Sequence, residues 1–274
     1  MSNLVVSFCI LVMTVLPLRA ADIEQISELS KALGLAEIIE IMREEGVGYG
    51  DELAKDMFPD RVSPEWTAIV EQIYDGEWMS ETITLGLSDA LANTDVTPLT
   101  SFFSNDLGKQ IVALEISARR ALMDSSVEEG SKEKLAILVE SDDPRIELVG
   151  RYVDANDLLE NNIVGTMNSN FAFYTALAES GAFDDNLTEQ QILKDVWNQE
   201  PEIRADTEEW LFSYLVMAYQ PLGDSDLEGY IALSKTPQGQ DLNNALFSAF
   251  DQMFTEMSRS LGRSVAMFMA GEDL

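Results

Sequence analysis

The side chains that could do chemistry in this chain are almost all carboxylates. Of 274 residues, 49 are Asp or Glu, 17 are Lys or Arg, and none is His. Without imidazole there is no Ser-His-Asp or Cys-His nucleophile arrangement and no His-ligated metal. The one cysteine, Cys9, sits in an N-terminal apolar run. The chain beyond that run therefore forms no internal disulfide, Cys zinc site or thiol nucleophile. Asp224-Ser225-Asp226-Leu227-Glu228-Gly229 begins like a calcium loop, with Gly in sixth place. The twelfth place, where a bidentate Glu belongs, is Lys235. Acidic capping of a helix start accounts for the same residues. Asp184-Asp185-Asn186 and the stretch from Asp154 to Asn162 are similar acidic segments with incomplete ligand spacing. No catalytic, cofactor-binding or metal-ligating residue is assigned, and no cofactor is expected.

The formal net charge is −32. A nucleic-acid partner needs a basic footprint, and this chain has none. Anionic membrane surfaces repel it for the same reason. Most of the acids are read as a solvated surface. An apolar content of 46% is that of a globular protein with a real core. The 12 methionines could form an adaptable groove, but Met253 and Met257 fall in helical stripes and are read as core.

Helices must position whatever chemistry exists, because apolar residues recur at three and four throughout. Ile23 to Met42 carries such a stripe, as one helix or two broken near Gly34. Gly46, Gly48 and Gly50 then read as a loop. Ser63-Pro64-Glu65 opens a helix by cap and first-turn logic. Asp75-Gly76 ends it, and Glu77 to Ala92 supplies the next. Leu135 to Val139 is too short an apolar run to separate strand from helix. Ser141-Asp142-Asp143-Pro144 stops one element and starts another. Thr188 caps a helix, Glu200-Pro201 interrupts it, and Leu211 to Tyr219 is apolar almost all round, as in a buried central helix. No period-2 run is bounded by hairpin signals, so the expected class is all-α.

The stretch Asp226 to Met257 organises the rest. Thr236 is a good N-cap and Pro237 a good first helical residue. Gly239 costs about 1 kcal/mol of helix propensity relative to Ala, which points to another backbone passing close. The helix-turn-helix with Asp226, Leu227, Tyr230, Ile231, Ser234, Thr236, Pro237, Gly239 and Leu242 resembles the bacterial family catalogued as domain of unknown function 2059. That resemblance implies an exported, all-helical protein with no established activity, so no catalytic residue is carried over. A weaker copy precedes it by 131 positions: Asp95, Gly108 and Ile111 match Asp226, Gly239 and Leu242, and Trp66 matches Trp197. The first copy has Asp106 where the second has Pro237, which predicts a looser turn capped by Asn105. The expected architecture is a multi-helix bundle of two related halves from an internal duplication. The halves run over 21–140 and 141–274, either as separate domains or sharing one core.

Residues 1–20 read as a signal peptide. The apolar run Leu4 to Leu16 is short for a membrane span and is followed by Pro17-Leu18-Arg19-Ala20-Ala21. The expected cut is after Ala20, with Ala21 as the alternative; an uncleaved N-terminal anchor is the competing reading. The expected location is periplasmic or secreted. The leading functional expectation is a non-enzymatic binding or interaction protein of the cell envelope, engaging a protein partner through a groove between the halves. The alternative is a carrier of small molecules or lipids. A third reading is a carboxylate-only hydrolase of peptidoglycan, since Glu179-Ser180 after an apolar helix resembles the acid of helical peptidoglycan-cleaving enzymes. Such an enzyme also needs a shaped cleft or second carboxylate, and a helix ending at Gly181 explains the same residues. If the signal reading is right, intact-mass measurement of exported protein gives a chain starting at Ala21; a mass that includes Met1 to Ala20 refutes it.

Overall fold

The computed structural model describes residues 23–59, 63–182 and 188–271. The expected signal peptide over 1–20, the acidic segment Asp184-Asp185-Asn186 and the last three residues lie outside these. The described residues form helices α1 (Ile23–Ala32), α2 (Leu35–Met57), α3 (Pro64–Ile73), α4 (Gly76–Ala90), α5 (Thr97–Phe103), α6 (Asp106–Ala121), α7 (Ser125–Glu140), α8 (Pro144–Ala155), α9 (Leu158–Glu179), α10 (Glu189–Asn198), α11 (Glu200–Tyr219), α12 (Asp224–Ser234) and α13 (Pro237–Ala270). No strand occurs among them, and the protein is an all-α bundle. No described helix is long and apolar enough to cross a membrane.

Local chemistry sets most boundaries. Gly34, at φ 65°, separates α1 from α2. The side chains of Ser63, Asp75 and Asp143 accept from the backbone N–H of Trp66, Trp78 and Arg145 at 3.4, 2.8 and 2.9 Å, starting α3, α4 and α8. Thr188 and Gln191 form a capping box at the start of α10. Pro201 lies in the first turn of α11, where its missing N–H costs nothing.

Several expectations need correction. Gly46, Gly48 and Gly50 are not a loop but lie inside α2. Gly46 and Gly50 are there because α3 packs directly on the bare backbone: a Cβ at Gly46 would overlap the Tyr74 ring, and one at Gly50 would meet Val70. The Trp66 indole N–H donates to the Gly50 carbonyl at 3.0 Å in the same contact. Leu135 to Val139 is the last part of α7. The turn before α6 is not looser than the one before α13. Asn105 accepts from the N–H of Gly108 at 2.9 Å, and Thr236 from Gly239 at 3.0 Å. A Cβ on Gly108 would strike the Phe102 carbonyl, and one on Gly239 the Leu233 carbonyl, each in the preceding helix of its hairpin. Trp66 and Trp197, in contrast, are not equivalent: the first is fully buried and the second 66% exposed.

Helix neighbours repeat between the two parts of the chain. α1 packs on α5, α2 on α3 and α4, and α5 on α6; correspondingly α8 packs on α12, α9 on α10 and α11, and α12 on α13. Between the parts the pairing is crossed, with α6 against α11 and α13 against α4. One continuous apolar core results, running from Ile26 to Ala266. α13 ties it together. Its Ala249 faces Gly86 of α4, its Gly262 lies against the Phe173 carbonyl of α9, and its Phe268 meets the rings of Phe58 and Trp66 at 5.4 and 5.2 Å.

The two kinds of glycine should respond oppositely to the same substitution. Gly239→Ala, forced against backbone, should destabilise the fold by about 1–3 kcal/mol. Gly48→Ala, whose Cβ would meet nothing, should stabilise α2 by up to ~1 kcal/mol. Urea denaturation of both variants reads the difference, and equal effects would contradict the close-approach account.

Candidate functional site

Among the described residues, the sites singled out by acid spacing are ordinary helix termini. Asp224 and Asp226 lie in the first turn of α12, and Asp224 is ion-paired with Arg145 at 2.6 Å. Asp157 begins α9 from the left-handed region, at φ 52°. Glu179 is an exposed residue at the end of α9, before Gly181 at φ 83°. Met253 and Met257 are buried in the core, as expected of their stripe.

The structure instead brings together residues from both parts around a cavity of about 590 Å³. α2, α5 and α6 form one side, and α8, α9, α11, α12 and α13 the other. Positions 131 apart face it together: Leu99 and Tyr230, Val112 and Asn243, Glu115 and Leu246, Ile116 and Phe247. The walls are mainly aliphatic and aromatic. Ile38, Val112, Ile116, Leu246 and Phe254 belong to helix faces that otherwise pack into the core, yet they remain only half-buried. Thr166, on the same wall, is exposed, so the cavity communicates with solvent beside α9.

Two acids line this space, Asp251 on α13 and Glu115 on α6, and Glu115 is the one surrounded by aromatic side chains. Glu115 follows Ile111 by four residues and precedes Ala118 by three, which places it on the buried stripe of α6. The Tyr219 hydroxyl donates to its Oε1 at 2.6 Å, and the Tyr214 hydroxyl donates to its backbone carbonyl at 3.2 Å. Tyr230 lies near enough to favour the ionised carboxyl, and Tyr152 is coupled to both Tyr219 and Tyr230. The Tyr152 ring lies 4.9 Å from that of Tyr230 and 5.4 Å from that of Tyr219. Thus α6 contributes the carboxyl, while α8, α11 and α12 contribute the hydroxyls.

Burial pushes the Glu115 carboxyl up to about 7, against which the Tyr219 and Tyr230 hydrogen bonds pull only partly. Burial, reinforced by the negative charge of Glu115, also raises Tyr214 and Tyr219, and these phenols stay protonated as donors. Arg119, one turn further along α6, does not neutralise Glu115. Its Nε and one terminal nitrogen donate to the two carboxylate oxygens of Glu45 on α2, at 2.9 and 2.6 Å. Its guanidinium lies 5.1 Å from the Trp210 ring centre. Glu115 is therefore a carboxyl held by phenols with no cation of its own.

The signal that could have found it is the repeat register, since 246 − 115 = 131 places this Glu opposite Leu246. An acid at an apolar stripe position is informative; an acid among 49 is not. Comparison with protein-family models, with curated proteins and with solved structures gives no match.

The raised Glu115 value has a definite sign for stability. The folded state holds a proton that the unfolded chain releases near 4.5. The stabilisation from this group is thus complete below about pH 4.5, declines as pH rises and reaches its minimum above pH 7. Glu115→Gln removes this pH-dependent contribution. Its stability relative to the unaltered chain should rise between pH 4.5 and pH 8 by up to about 3 kcal/mol. Paired urea titrations at the two pH values check this; a difference independent of pH would mean that Glu115 titrates normally.

Proposed function

We propose that this is a non-enzymatic binding protein that carries a small, largely apolar molecule in the cavity between its two sets of helices. The single observation that carries the reading is the cavity itself. Its volume of about 590 Å³ falls within the usual range of ligand pockets. Its lining also has the expected composition, with apolar walls and a few convergent polar groups. Half-buried Ile38, Val112 and Phe254 gain apolar contact when such a ligand enters. A concave space among eight helices favours a small molecule over a protein segment as occupant. Glu179, the candidate acid of a hydrolase, is not on its wall.

The remaining parts of the proposal rest on sequence. The apolar run ending at Ala20 supports export and a place in the cell envelope, as does the resemblance of the Thr236–Gly239 turn to the exported unknown-function family. Matching turns at Gly108 and Gly239 and the repeated helix neighbours support an ancient duplication of one helical unit.

The test is a neutral, apolar fluorescent probe, N-phenyl-1-naphthylamine. It should bind one molecule per chain with enhanced emission. Leu246→Trp, which fills the cavity from α13, should weaken binding at least tenfold while leaving the thermal midpoint within a few degrees. Unchanged binding by a stably folded Leu246→Trp would place the probe elsewhere and refute the carrier reading.

A further inference from the structure

We infer that the cavity selects amphiphilic amines: molecules with one ammonium group, held at Glu115, on an apolar body that fills the remaining space. The inference rests on the carrier reading and specifies its ligand class.

Three observations converge on it. The first is charge balance inside the cavity. The charged groups that face it are Glu115, Arg119 and Asp251. Arg119 is taken up by both oxygens of Glu45, and Asp251 accepts only from the neutral amide of Asn168, at 3.0 Å. Glu115 meets phenols alone: Tyr219 and Tyr230 at its carboxyl, with Tyr152 beyond them. The space therefore has an uncompensated negative end, and a cation is the ligand group that completes it. A half-buried carboxylate facing apolar walls without a cation is costly, and the incoming ammonium removes that cost.

The second observation is the aromatic surround. Tyr152, Tyr219 and Tyr230 cluster with centroid separations of 4.9 to 6.4 Å. Phe103 meets Tyr230 edge-on at 6.1 Å, and all four rings belong to the cavity wall. Ring faces attract ammonium groups and tolerate their attached methyl or methylene groups, which a purely hydrogen-bonding site does not. The third is the field of the whole molecule. A net charge of −32 draws cations toward the opening and repels carboxylate amphiphiles such as fatty acids.

The chemistry is shared by primary, methylated and quaternary amines, so the experiment uses ligands that differ only in head group. Decyltrimethylammonium, decan-1-amine, decan-1-ol and decanoate would displace N-phenyl-1-naphthylamine from the purified chain at pH 7.5, below their micelle concentrations. The two cationic ligands should bind at least tenfold more tightly than the alcohol, and decanoate more weakly than the alcohol. Glu115→Gln should remove the cationic preference while changing alcohol affinity less than threefold, and its thermal melt reports that it is folded. Alcohol or decanoate binding as tight as the amines would overturn the inference and leave the carrier reading standing. So would an amine preference that persists in Glu115→Gln. If no ligand in the series displaces the probe, or the probe itself does not bind, both readings fail together. Should Glu115→Gln not fold, Tyr230→Phe, which removes one hydroxyl from the carboxyl, replaces it. That variant should keep the amine preference, because Glu115 then lacks a donor and still needs a cation; loss of the preference would count against the inference.

Discussion

The fold depends on how closely α13 can approach its neighbours. At 34 residues it is about 50 Å long, enough to touch both parts of the molecule. Close approach needs positions where a side chain is nearly absent. Gly239 admits the end of α12, Ala249 and Gly86 bring α4 near, and Gly262 rests on the backbone of α9. Its counterpart α6 has 16 residues and ends at Ala121. It cannot run along α2 as α13 runs along α9. The far end of α2 is covered instead by α3, through Gly46 and Gly50, and by Phe268 arriving from α13. The cavity lies alongside α6 itself, between Val112 to Arg119 and the first half of α13.

A void of that size would be expensive if it served only packing, since interiors are normally filled to crystal-like density. Placing Glu115 beside it adds the cost of a desolvated acid. The same register position in α13 holds Leu246, which is the residue that packing alone favours. The Tyr219 hydroxyl, with Tyr230 beside it, reduces the penalty but supplies no positive charge. Space and acid each oppose stability, and both occur at one place. Local violations of packing rules that coincide in this way are characteristic of sites that bind something.

Much of the fold was legible because capping chemistry is local. Ser63, Thr188 and Thr236 each begin a helix by accepting the N–H that the sequence predicts, whereas Asp75, read as the end of one helix, caps the start of the next. Gly34 and Gly239 were read correctly because each sits beside an independent helix signal. Gly46 and Gly50 were misread because a glycine that makes room for a neighbouring side chain looks, in sequence, like one that bends a loop, and Gly48 between them completed the false pattern. Tyr74 and Val70, which need that room, are 28 and 20 residues further along the chain yet in direct contact in space. Glu115 escaped notice for a related reason: its significance lies in Tyr219, 104 positions later. Trp66 and Trp197 matched by letter yet occupy unlike environments, so the repeat is dependable at its turns and not along its whole length.

The crossed pairing of helices has a consequence for the order in which the chain can become native. α4 is completed early in synthesis, but its partner α13 follows every other described helix. The Thr94 hydroxyl must likewise wait for Asp241, 147 positions on. Until then the faces of α4 and α6 that meet α13 and α11 have no cover. Contacts of such high sequence separation slow folding and lengthen the life of sticky intermediates. A nascent chain released before α13 emerges would hold most of its secondary structure and little of its core, which makes it a natural client for a holding chaperone.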